Sequence, residues 1–517
     1  MLLIIRSASS EKTTIMAVEI TVTRINNFEY SFKLSSKNGI RHVAKALTFR
    51  NPDPFAYSSK IEKFDKKKFT FKIGMLPTLE KYIRVHNLSY QISDYDFALP
   101  EGVEIDNRMS GKYIHQRKAV EAFYRRRFGI IVVPTRGGKT FIASEILRIF
   151  LNSDDGNFLF LTDNTTLFNQ AVNDIKEYFQ PYGGIEVGEI KAGKIDTGKR
   201  VTVGMIQTIQ STFSARCKDK VKKRELDKYF KTLKFLCIDE IHDNCSDAKL
   251  KTYKKAKQLE YQLCLSATPY RTGTLVQNLK LKEWSGDVVY TITEKRLRER
   301  KVLSDYRVFM LLIDHNDIEY DIEADDYNGY RRELIFESKL RNKLLMQVIG
   351  ILRELNLKTL VLFQSVEHGR RVERLSGIPF ISGENDSEER ERAKEEFLEG
   401  EGGFLLASNI FKKGVTLPQV EVMINVDGGL EDANTIQKKG RVLGATKTKS
   451  RSLIIDFFDL YDAYFSEHSE TRLNTYIGAI GEKRVGILDT SIDDWKETIK
   501  RWTIKWFAAD KGYSDMQ

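Results

Sequence analysis

The chain of 517 residues has a mass of 59.7 kDa, and 41% of its residues are hydrophobic and 30% are charged. At roughly 100–200 residues per domain, this length predicts about three or four compact units. The sequence contains no run of about 18 apolar residues, which excludes a membrane-spanning protein, and its aromatic and aliphatic content excludes a disordered chain.

Basic residues outnumber acidic ones, with 83 Lys and Arg against 72 Asp and Glu, and the formal net charge is +11. This balance favours a polyanionic partner such as nucleic acid. The cysteines form no C-x-x-C pair and no histidine pair accompanies them, so we expect neither a disulfide framework nor a zinc site. Such cysteine usage predicts a reducing, cytoplasmic compartment. The cysteines are Cys217, Cys237, Cys245 and Cys264.

The amino-terminal part of the chain predicts a leader followed by a small domain. Residues 1–15 lack the basic segment and the long apolar core of a signal peptide, and we expect a disordered leader there. In residues 16–105, VEITVTRI and YSFKLS alternate apolar and polar residues as strands do, whereas SKNGIRHVAKALTF has helical spacing. This mixture predicts a small α+β domain, which the polar stretch ALPEGVEIDNRMSG links to the rest of the chain.

Two series of continuous apolar runs, separated by helical segments, follow the small domain. Residues 111–290 contain FGIIVVP, NFLFLTD, RVTVGMI, KFLCIDE and YQLCLSATP, and residues 336–460 contain KTLVLFQS, IPFISG, GFLLASN, VEVMINVD and RSLIIDFF. Such runs are typical of parallel sheets that helices cover on both faces. The sequence therefore predicts an α/β fold with two consecutive parallel-sheet units, joined by a connector at 291–335.

The last stretch, residues 461–517, is predicted to be a helical extension. One helix face carries Ile492, Trp495, Ile499, Trp502 and Trp506. A stripe of this kind packs on a neighbouring domain more often than it stacks on nucleic-acid bases. We therefore expect packing on one of the two lobes, and base stacking is the alternative.

The run VVPTRGGKT at 132–140 follows an apolar strand and precedes a helical segment, as a phosphate-binding loop does. Gly137 and Gly138 allow backbone N–H groups to turn toward an anion, and the helix N-terminus adds partial positive charge. Lys139 can reach the β and γ phosphates, and Thr140 can ligate Mg²⁺. The run departs from the usual pattern because Val133 stands in the place of the first glycine.

Two further runs end apolar strands in polar residues. KFLCIDEIH ends with Asp239 and Glu240 followed by His242. One carboxylate beside a phosphate loop can hold Mg²⁺ through water, and a second can orient the attacking water. Ser266 and Thr268 of SATP could relay between these carboxylates and another ligand. The alternatives are a structural role for His242 and an ordinary turn for SATP.

In combination, these motifs resemble those of the superfamily 2 helicases and translocases. The order is PTRGGKT, DEIH and SATP, then SNIFKKGVTLP (408–418) and QKKGRVLG (437–444), which resemble motifs V and VI. GKYIHQRKAVEAF (111–123) resembles the adenine-contacting segment of that family, and FLTDNTTLFNQ and VGMIQTIQ resemble its DNA-contacting motifs. The closest likeness is to the tailed-phage UvsW-type helicases, which remodel branched DNA. It rests on LVLFQSVEHGRRV with the later ISGE, on ASNIFKKGV, and on a domain ahead of the motor.

The resemblance implies two RecA-like lobes with ATP and Mg²⁺ in the cleft between them. Thr140 and Asp239 would hold the metal, partly through water, and Glu240 would activate the attacking water. Arg441 would reach the γ-phosphate. The implied coupling residues are His242, Ser266 and Thr268. The implied nucleotide-binding residues are Gln116, Pro134, Thr135, Arg136, Gly137, Gly138, Lys139, Thr140, Gly414 and Gln437.

One departure from the family pattern concerns the second arginine of motif VI, which is replaced by Gly444. That arginine usually stabilises the charge of the transition state, and its loss could slow hydrolysis by orders of magnitude. Either Arg441 acts alone, or Lys447 or Lys449 takes its place.

The function that the resemblance implies is an ATP-driven DNA helicase or translocase. It would unwind or branch-migrate forks and four-way junctions in recombination, replication or repair, in the host cytoplasm if a phage encodes it. Basic clusters at 125–127, 218–224 and 251–257 could neutralise DNA phosphates, or could be solvated helix faces or structural residues. We expect DNA and phage recombination or replication proteins as partners, no membrane, and an oligomeric state compatible with a monomer. The alternatives are an RNA helicase, a nucleotide-gated DNA-binding clamp with weak turnover, and a restriction-type motor subunit.

Overall fold

The computed structural model of the chain describes two compact units. The described residues are 20–26, 28–35, 39–53, 56, 58–93, 97–270, 275–315, 327–400, 402–408, 417, 419–429, 444–446, 449–461 and 463–511. The first unit comprises the chain up to Pro134 together with Gly138–Ile292, and the second comprises Thr135–Gly137 together with the chain from Thr293. Among the described helices, none combines the length and the apolarity needed to cross a membrane.

The first unit begins with a small α+β domain, as predicted from the alternating segments. Its strands are β1 (Ile20–Asn26), β2 (Glu29–Leu34), β3 (Thr48–Arg50), β4 (Lys60–Glu62), β5 (Phe64–Asp65), β6 (Thr70–Lys72) and β7 (Tyr90–Ile92), and its helices are α1 (Gly39–Leu47) and α2 (Leu76–Val85). The described sheet has the order β5-β6-β2-β1-β7, in which β7 is parallel to β1 and the other pairs are antiparallel. Apolar residues at alternate positions, such as Ile20 and Val22, are fully buried.

The rest of the first unit is a mainly parallel sheet, here called lobe 1, with the order β11-β10-β12-β9-β13-β14-β8-β15 among the described residues. The strands are β8 (Phe128–Val132), β9 (Asn157–Thr162), β10 (Val187–Lys191), β11 (Lys194–Ile195), β12 (Val201–Met205), β13 (Leu233–Ile238), β14 (Tyr261–Ser266) and β15 (Val288–Thr291). The helices are α3 (Ile114–Arg126), α4 (Lys139–Ser153), α5 (Thr165–Phe179), α6 (Ile206–Phe213), α7 (Lys220–Thr232), α8 (Asp247–Tyr253) and α9 (Leu275–Ser285). The central strands are buried along almost their whole length, which explains why they lack polar alternation.

The small domain packs directly on lobe 1 within the first unit. Lys63 Nζ lies 2.7 Å from Glu283 Oε2, and the rings of Phe28 and Trp284 stack with centroids 6.5 Å apart. Gly74 comes so close to α9 that an added Cβ would lie 1.6 Å from the Lys282 carbonyl oxygen. This position therefore requires glycine for close backbone approach.

The second unit contains another parallel sheet, here called lobe 2, with the order β18-β19-β17-β20-β21-β16-β22 among the described residues. The strands are β16 (Asp305–Asp314), β17 (Thr359–Phe363), β18 (Phe380–Ile381), β19 (Phe404–Ser408), β20 (Val422–Asn425), β21 (Arg451–Leu460) and β22 (Val485–Asp489). The helices are α10 (Glu294–Glu299), α11 (Tyr327–Arg331), α12 (Lys339–Glu354), α13 (Val366–Ser376), α14 (Ser387–Glu399), α15 (Ala463–Ile480) and α16 (Trp495–Lys511). The α/β class with two parallel-sheet lobes is confirmed.

Two strands of lobe 2 lie where the sequence predicted none. β16 belongs to the stretch assigned to the connector, and it pairs with β21 over ten residues. β22 interrupts the predicted helical extension and pairs with the other edge of β16. β22 has only a short apolar run, since edge strands are half-exposed, and this explains why helical spacing dominated the pattern.

The predicted tryptophan face of the last helix packs on lobe 2. Trp495, Ile499 and Trp506 are at most 8% exposed and belong to the lobe 2 core, whereas Ile492 precedes α16 and is 52% exposed. Trp506 Nε1 also donates a hydrogen bond of 2.8 Å to the Ser452 carbonyl. The packing role is therefore confirmed for this face, and buried rings of this kind are not available for base stacking.

Candidate nucleotide-binding site

The predicted phosphate loop connects β8 to α4. Arg136 and Gly138 have left-handed backbone conformations, with φ of 65° and 91°. No side chain caps the N-terminus of α4, and its first turn holds no acidic residue. Because the first N–H groups of a helix have no intrahelical partner, this end of α4 provides donors for an anion.

Gln116, predicted to belong to the nucleotide-binding residues, lies against this loop. It is 6% exposed on α3, and a Cβ added to Gly138 would lie 2.2 Å from its Nε2 atom. Within the loop, Pro134 belongs to the first unit, whereas Thr135, Arg136 and Gly137 group with the second. The structure thus places the Gln116 side chain against Gly138 of the loop.

Lys139 and Glu240 form the central contact of the site. The Lys139 Nζ atom donates a hydrogen bond of 2.8 Å to Glu240 Oε1, and the two side chains are only 13% and 16% exposed. Glu240, the second residue after β13, has a left-handed conformation with φ of 44°, which is uncommon for a residue with a side chain. Strained backbone of this kind concentrates at functional sites, where it aims a side chain.

Two carboxylate oxygens of this site are buried without a hydrogen-bond partner among the described residues, Asp239 Oδ1 and Glu240 Oε2. Burial, together with the charge of Glu240, raises the pKa of Asp239 above its usual value. Burial also acts on Glu240, but Lys139 and His242 outweigh it, so the pKa of Glu240 lies below its usual value. Glu240 is therefore ionised at neutral pH, while burial favours the protonated form of Asp239.

These oxygens fit Mg²⁺, which prefers hard oxygen ligands and keeps several waters. Among the described residues, no group of three or more acidic, His or Cys side chains forms a dedicated metal cage. A site with few protein ligands is the usual arrangement where substrate phosphates supply the remaining ones. Thr140, the other predicted metal ligand, makes a side-chain hydrogen bond with Asp174 of α5.

The three predicted coupling residues lie together. His242 Nδ1 is 3.0 Å from Ser266 Oγ, which also accepts a hydrogen bond of 3.1 Å from the Thr268 backbone N–H. His242 Nδ1 is 3.4 Å from Glu240 Oε2. Hydrogen bonds therefore join His242, Ser266 and the Thr268 backbone, and His242 lies next to Glu240 without a hydrogen bond to its Oε2 atom.

Two residues beside the site were missed by the sequence analysis. Asn244 Nδ2 donates to the backbone carbonyls of Asp239 and Glu240, at 2.8 and 3.3 Å, and so holds the turn that aims both carboxylates. Asp174 contacts Thr140, and burial raises its pKa. Neither belongs to a recognisable motif, and only the three-dimensional contact distinguishes them from ordinary polar residues.

Several predicted site residues of the second unit lie outside the described residues. They are Gly414, Gln437, Arg441 and the alternative cation Lys447. Gly444 is described; it is buried and forms an isolated β-bridge with Leu303. Lys449 is 5% exposed and its ammonium donates to the Val420 carbonyl, and burial holds its pKa well below the usual value.

Two protein-family models match parts of the chain. Residues 110–271 match the family described as Type III restriction enzyme, res subunit, and residues 341–445 match the Helicase conserved C-terminal domain. The chain is 26% identical over 379 residues to the DNA 3'-5' translocase XPB2 of Sulfurisphaera tokodaii, covering 66% of this chain and 80% of that protein. It is 22% identical over 432 residues to the ATP-dependent DNA helicase uvsW of Enterobacteria phage T4, covering 80% and 81%.

Solved structures share the fold. The structure of S. cerevisiae Dbp5 bound to RNA and ADP BeF3 superposes with a TM-score of 0.52 at 16% identity, and the match covers 76% of this chain and 92% of that one. At this identity the likeness concerns the fold alone, two parallel-sheet lobes in tandem.

Proposed function

The chain belongs to the superfamily 2 DNA helicases, and from this premise we propose that it is an ATP-driven motor that unwinds forks and branch-migrates four-way DNA junctions. Two of its relatives are named as a DNA translocase and a DNA helicase, which supports DNA as the polymer along which the motor moves. The net charge of +11 also favours a polyanion. The small domain packed on lobe 1 would select the branched structure, while the motor grips the backbone without sequence preference.

The observation that carries the proposal is the contact between Lys139 Nζ and Glu240 Oε1 at 2.8 Å. It brings the cation at the start of α4 next to the carboxylates at the end of β13. Phosphoryl transfer needs mainly positioning and charge neutralisation, and these residue types supply both. A Lys139 ammonium that turns from Glu240 to a phosphate frees this carboxylate to accept a proton from the attacking water.

Asp239, with Thr140, would hold Mg²⁺, and the bound ion would supply charge neutralisation at the phosphates. The orphaned Asp239 Oδ1 atom supports this role. The contacts from Glu240 through His242 and Ser266 would connect the state of the nucleotide to the loop that contains Thr268. The family pattern adds Gln437 and Arg441 to the residues expected to bind the nucleotide.

The proposal is tested by ATP turnover on a panel of DNA and RNA substrates. We expect stimulation by forks and four-way junctions above that by single strands or linear duplex, and movement of the branch in a strand-exchange assay. Lys139→Ala should abolish turnover while leaving DNA binding intact. A wild-type chain whose turnover does not respond to DNA, or responds better to RNA, contradicts the proposal.

A second candidate function is the motor subunit of a restriction system. The match of residues 110–271 to the res-subunit family favours it. This function predicts equal turnover on linear and branched duplex, without displacement of a branch. The same substrate panel therefore separates the two functions.

A further inference from the structure

A cavity of about 390 Å³ lies within the first unit, where the small domain meets lobe 1. Three arginines from the two domains line it: Arg24 of β1, and Arg125 and Arg126 at the end of α3. Together with Tyr30, Phe128 and Asp287, these residues are called the arginine pocket. Arginine is the side chain whose planar donors best match a phosphate group.

The three consecutive arginines at 125–127 have different roles. Arg127 follows α3 as its C-terminal cap in a left-handed conformation, and its guanidinium lies 4.2 Å from the Phe97 ring and 5.0 Å from the Tyr261 ring. It is a structural residue that packs between aromatic rings. Arg125 is exposed and Arg126 half-buried, and both line the cavity.

The acidic residues at the pocket are already neutralised by other partners. Glu80 pairs with Arg84 at 2.6 Å and accepts a hydrogen bond from Tyr90. Asp287 lies 3.4 Å from Lys282 Nζ and accepts from the Val288 backbone N–H at 2.9 Å. The lining therefore holds three arginines against two carboxylates, and both carboxylates have cationic partners of their own.

The pocket is separate from the nucleotide-binding site. Phe128, at its wall, begins β8, whereas the phosphate loop follows Val132 at the other end of the same strand. At about 3.3 Å per residue, the two ends of this strand are roughly 13 Å apart. An anion in the pocket would therefore not compete with a nucleotide at Lys139.

We propose that the arginine pocket binds a backbone phosphate of DNA and thereby ties the small domain and lobe 1 to one duplex arm. The inference rests on the proposed function for the identity of the polyanion. Contacts to phosphate position a protein on DNA without reading its sequence, which suits a motor that selects a branched shape. Because the pocket walls come from both domains, one bound phosphate would hold the small domain and lobe 1 at the same position on the duplex arm.

The test is the salt dependence of duplex DNA binding, measured without nucleotide. The test variant is Arg125→Gln with Arg126→Gln, and a second variant, Arg125→Lys with Arg126→Lys, keeps the charge. The control, Lys199→Gln with Lys231→Gln, removes the same charge from two exposed ion pairs elsewhere in lobe 1. Loss of one phosphate contact lowers the slope of log Kobs against log salt by about 0.9.

We expect the slope to fall by about one in the Gln variant, with the Lys variant and the control close to wild type, and with ATP turnover in the absence of DNA unchanged. An unchanged slope in the Gln variant overturns the inference, even if DNA stimulates turnover as proposed above. Calorimetry with inorganic phosphate tests whether the pocket binds free phosphate instead of DNA. Saturable phosphate binding that the Gln variant loses, together with an unchanged salt slope for DNA, would assign the pocket to free phosphate and would also overturn the inference. A wild-type chain that binds no DNA refutes both this inference and the proposed function.

Discussion

In the described structure, the Lys139 ammonium is neutralised by Glu240, the carboxylate proposed to accept the proton of water. The two groups therefore stay paired until a phosphate competes with Glu240 for the lysine. A nucleotide whose phosphates draw Lys139 away leaves Glu240 ionised next to the attacking water. This exchange of partners would keep the carboxylate from acting before substrate is bound.

The first prediction concerns Glu240→Gln. The amide keeps the shape and a contact to Lys139 but accepts no proton, so ATP turnover should fall by about 10²–10⁴-fold. Nucleotide binding, measured with a fluorescent ATP analogue, should stay within a few-fold of wild type. The matched control is Glu260→Gln, at an exposed carboxylate of lobe 1. Turnover that survives in Glu240→Gln would assign the proton acceptor to another group.

The second prediction concerns the pH dependence of stability through His368 of α13. This ring is 2% exposed, its Nε2 atom lies 2.9 Å from Asn342 Oδ1, and burial together with Arg341 lowers its pKa to about 3. The folded chain therefore keeps the ring neutral, whereas the unfolded chain takes up a proton below about pH 6.5. Stability that is fully present above this pH should fall by about 1.4 kcal/mol per pH unit as the pH drops toward 4.

His368→Gln should remove this contribution, because the amide donates to Asn342 but does not titrate. Urea unfolding at several pH values measures it: the variant should lose stability less steeply than wild type between pH 6 and 4. Identical pH profiles for the two proteins would show that His368 is protonated in the folded state.

At the scale of elements, a buried polar network fixes α4, the helix that begins with Lys139. Glu145 Oε1 accepts a hydrogen bond of 2.8 Å from the Asp106 backbone N–H, and Glu145 Oε2 accepts from Tyr178 at 2.5 Å and from Arg148 at 2.7 Å. The network joins the segment ahead of α3, the middle of α4 and the end of α5. It thereby fixes the helix whose N-terminus forms the phosphate loop.

The third prediction follows from this network. Glu145 is fully buried, so Glu145→Gln leaves Arg148 without its carboxylate partner and should lower the free energy of unfolding of the first unit by about 3 kcal/mol. Asp227→Asn breaks an exposed pair with Lys231 and should cost about 0–1 kcal/mol. Urea unfolding of both variants gives the comparison, and equal losses would show that the network contributes no more than a surface pair.

The sequence allowed the central strands to be predicted, and also the residues at their ends, because buried parallel strands are continuous apolar runs. β8, β13 and β14 and the polar residues that follow them were found in this way. The edge strand β22 was not, since its half-exposed pattern is ambiguous between helix and strand. The roles of Asn244 and Asp174 were not predicted, because each depends on a three-dimensional contact that no local sequence pattern encodes.

At the scale of the whole molecule, the second unit has its own core around β16, β17 and β21. β16 lies between β21 and β22, so it is an interior strand of the lobe 2 sheet. It belongs to the stretch that the sequence assigned to a connector beginning at 291 and ending at 335. The position of this strand determines where the second unit can be separated from the first.

The fourth prediction is that a fragment of residues 293–517 folds alone, whereas one of residues 336–517 does not. The shorter fragment lacks β16 and exposes the facing edges of β21 and β22. Near-ultraviolet circular dichroism and urea titration should show a cooperative transition for the longer fragment only. Cooperative unfolding of the shorter fragment would place the domain boundary at the connector's end.

The ten paired residues of β16 have a consequence for synthesis of the chain. The ribosome releases this apolar strand well before its partners, which begin at residues 451 and 485. Until those two segments emerge, β16 lacks both β21 and β22. Its exposed apolar edge could then aggregate, and chaperones would need to shield it. A nonsense mutation ahead of residue 451 would leave nascent chains without both partners of β16, and we expect such products to be degraded.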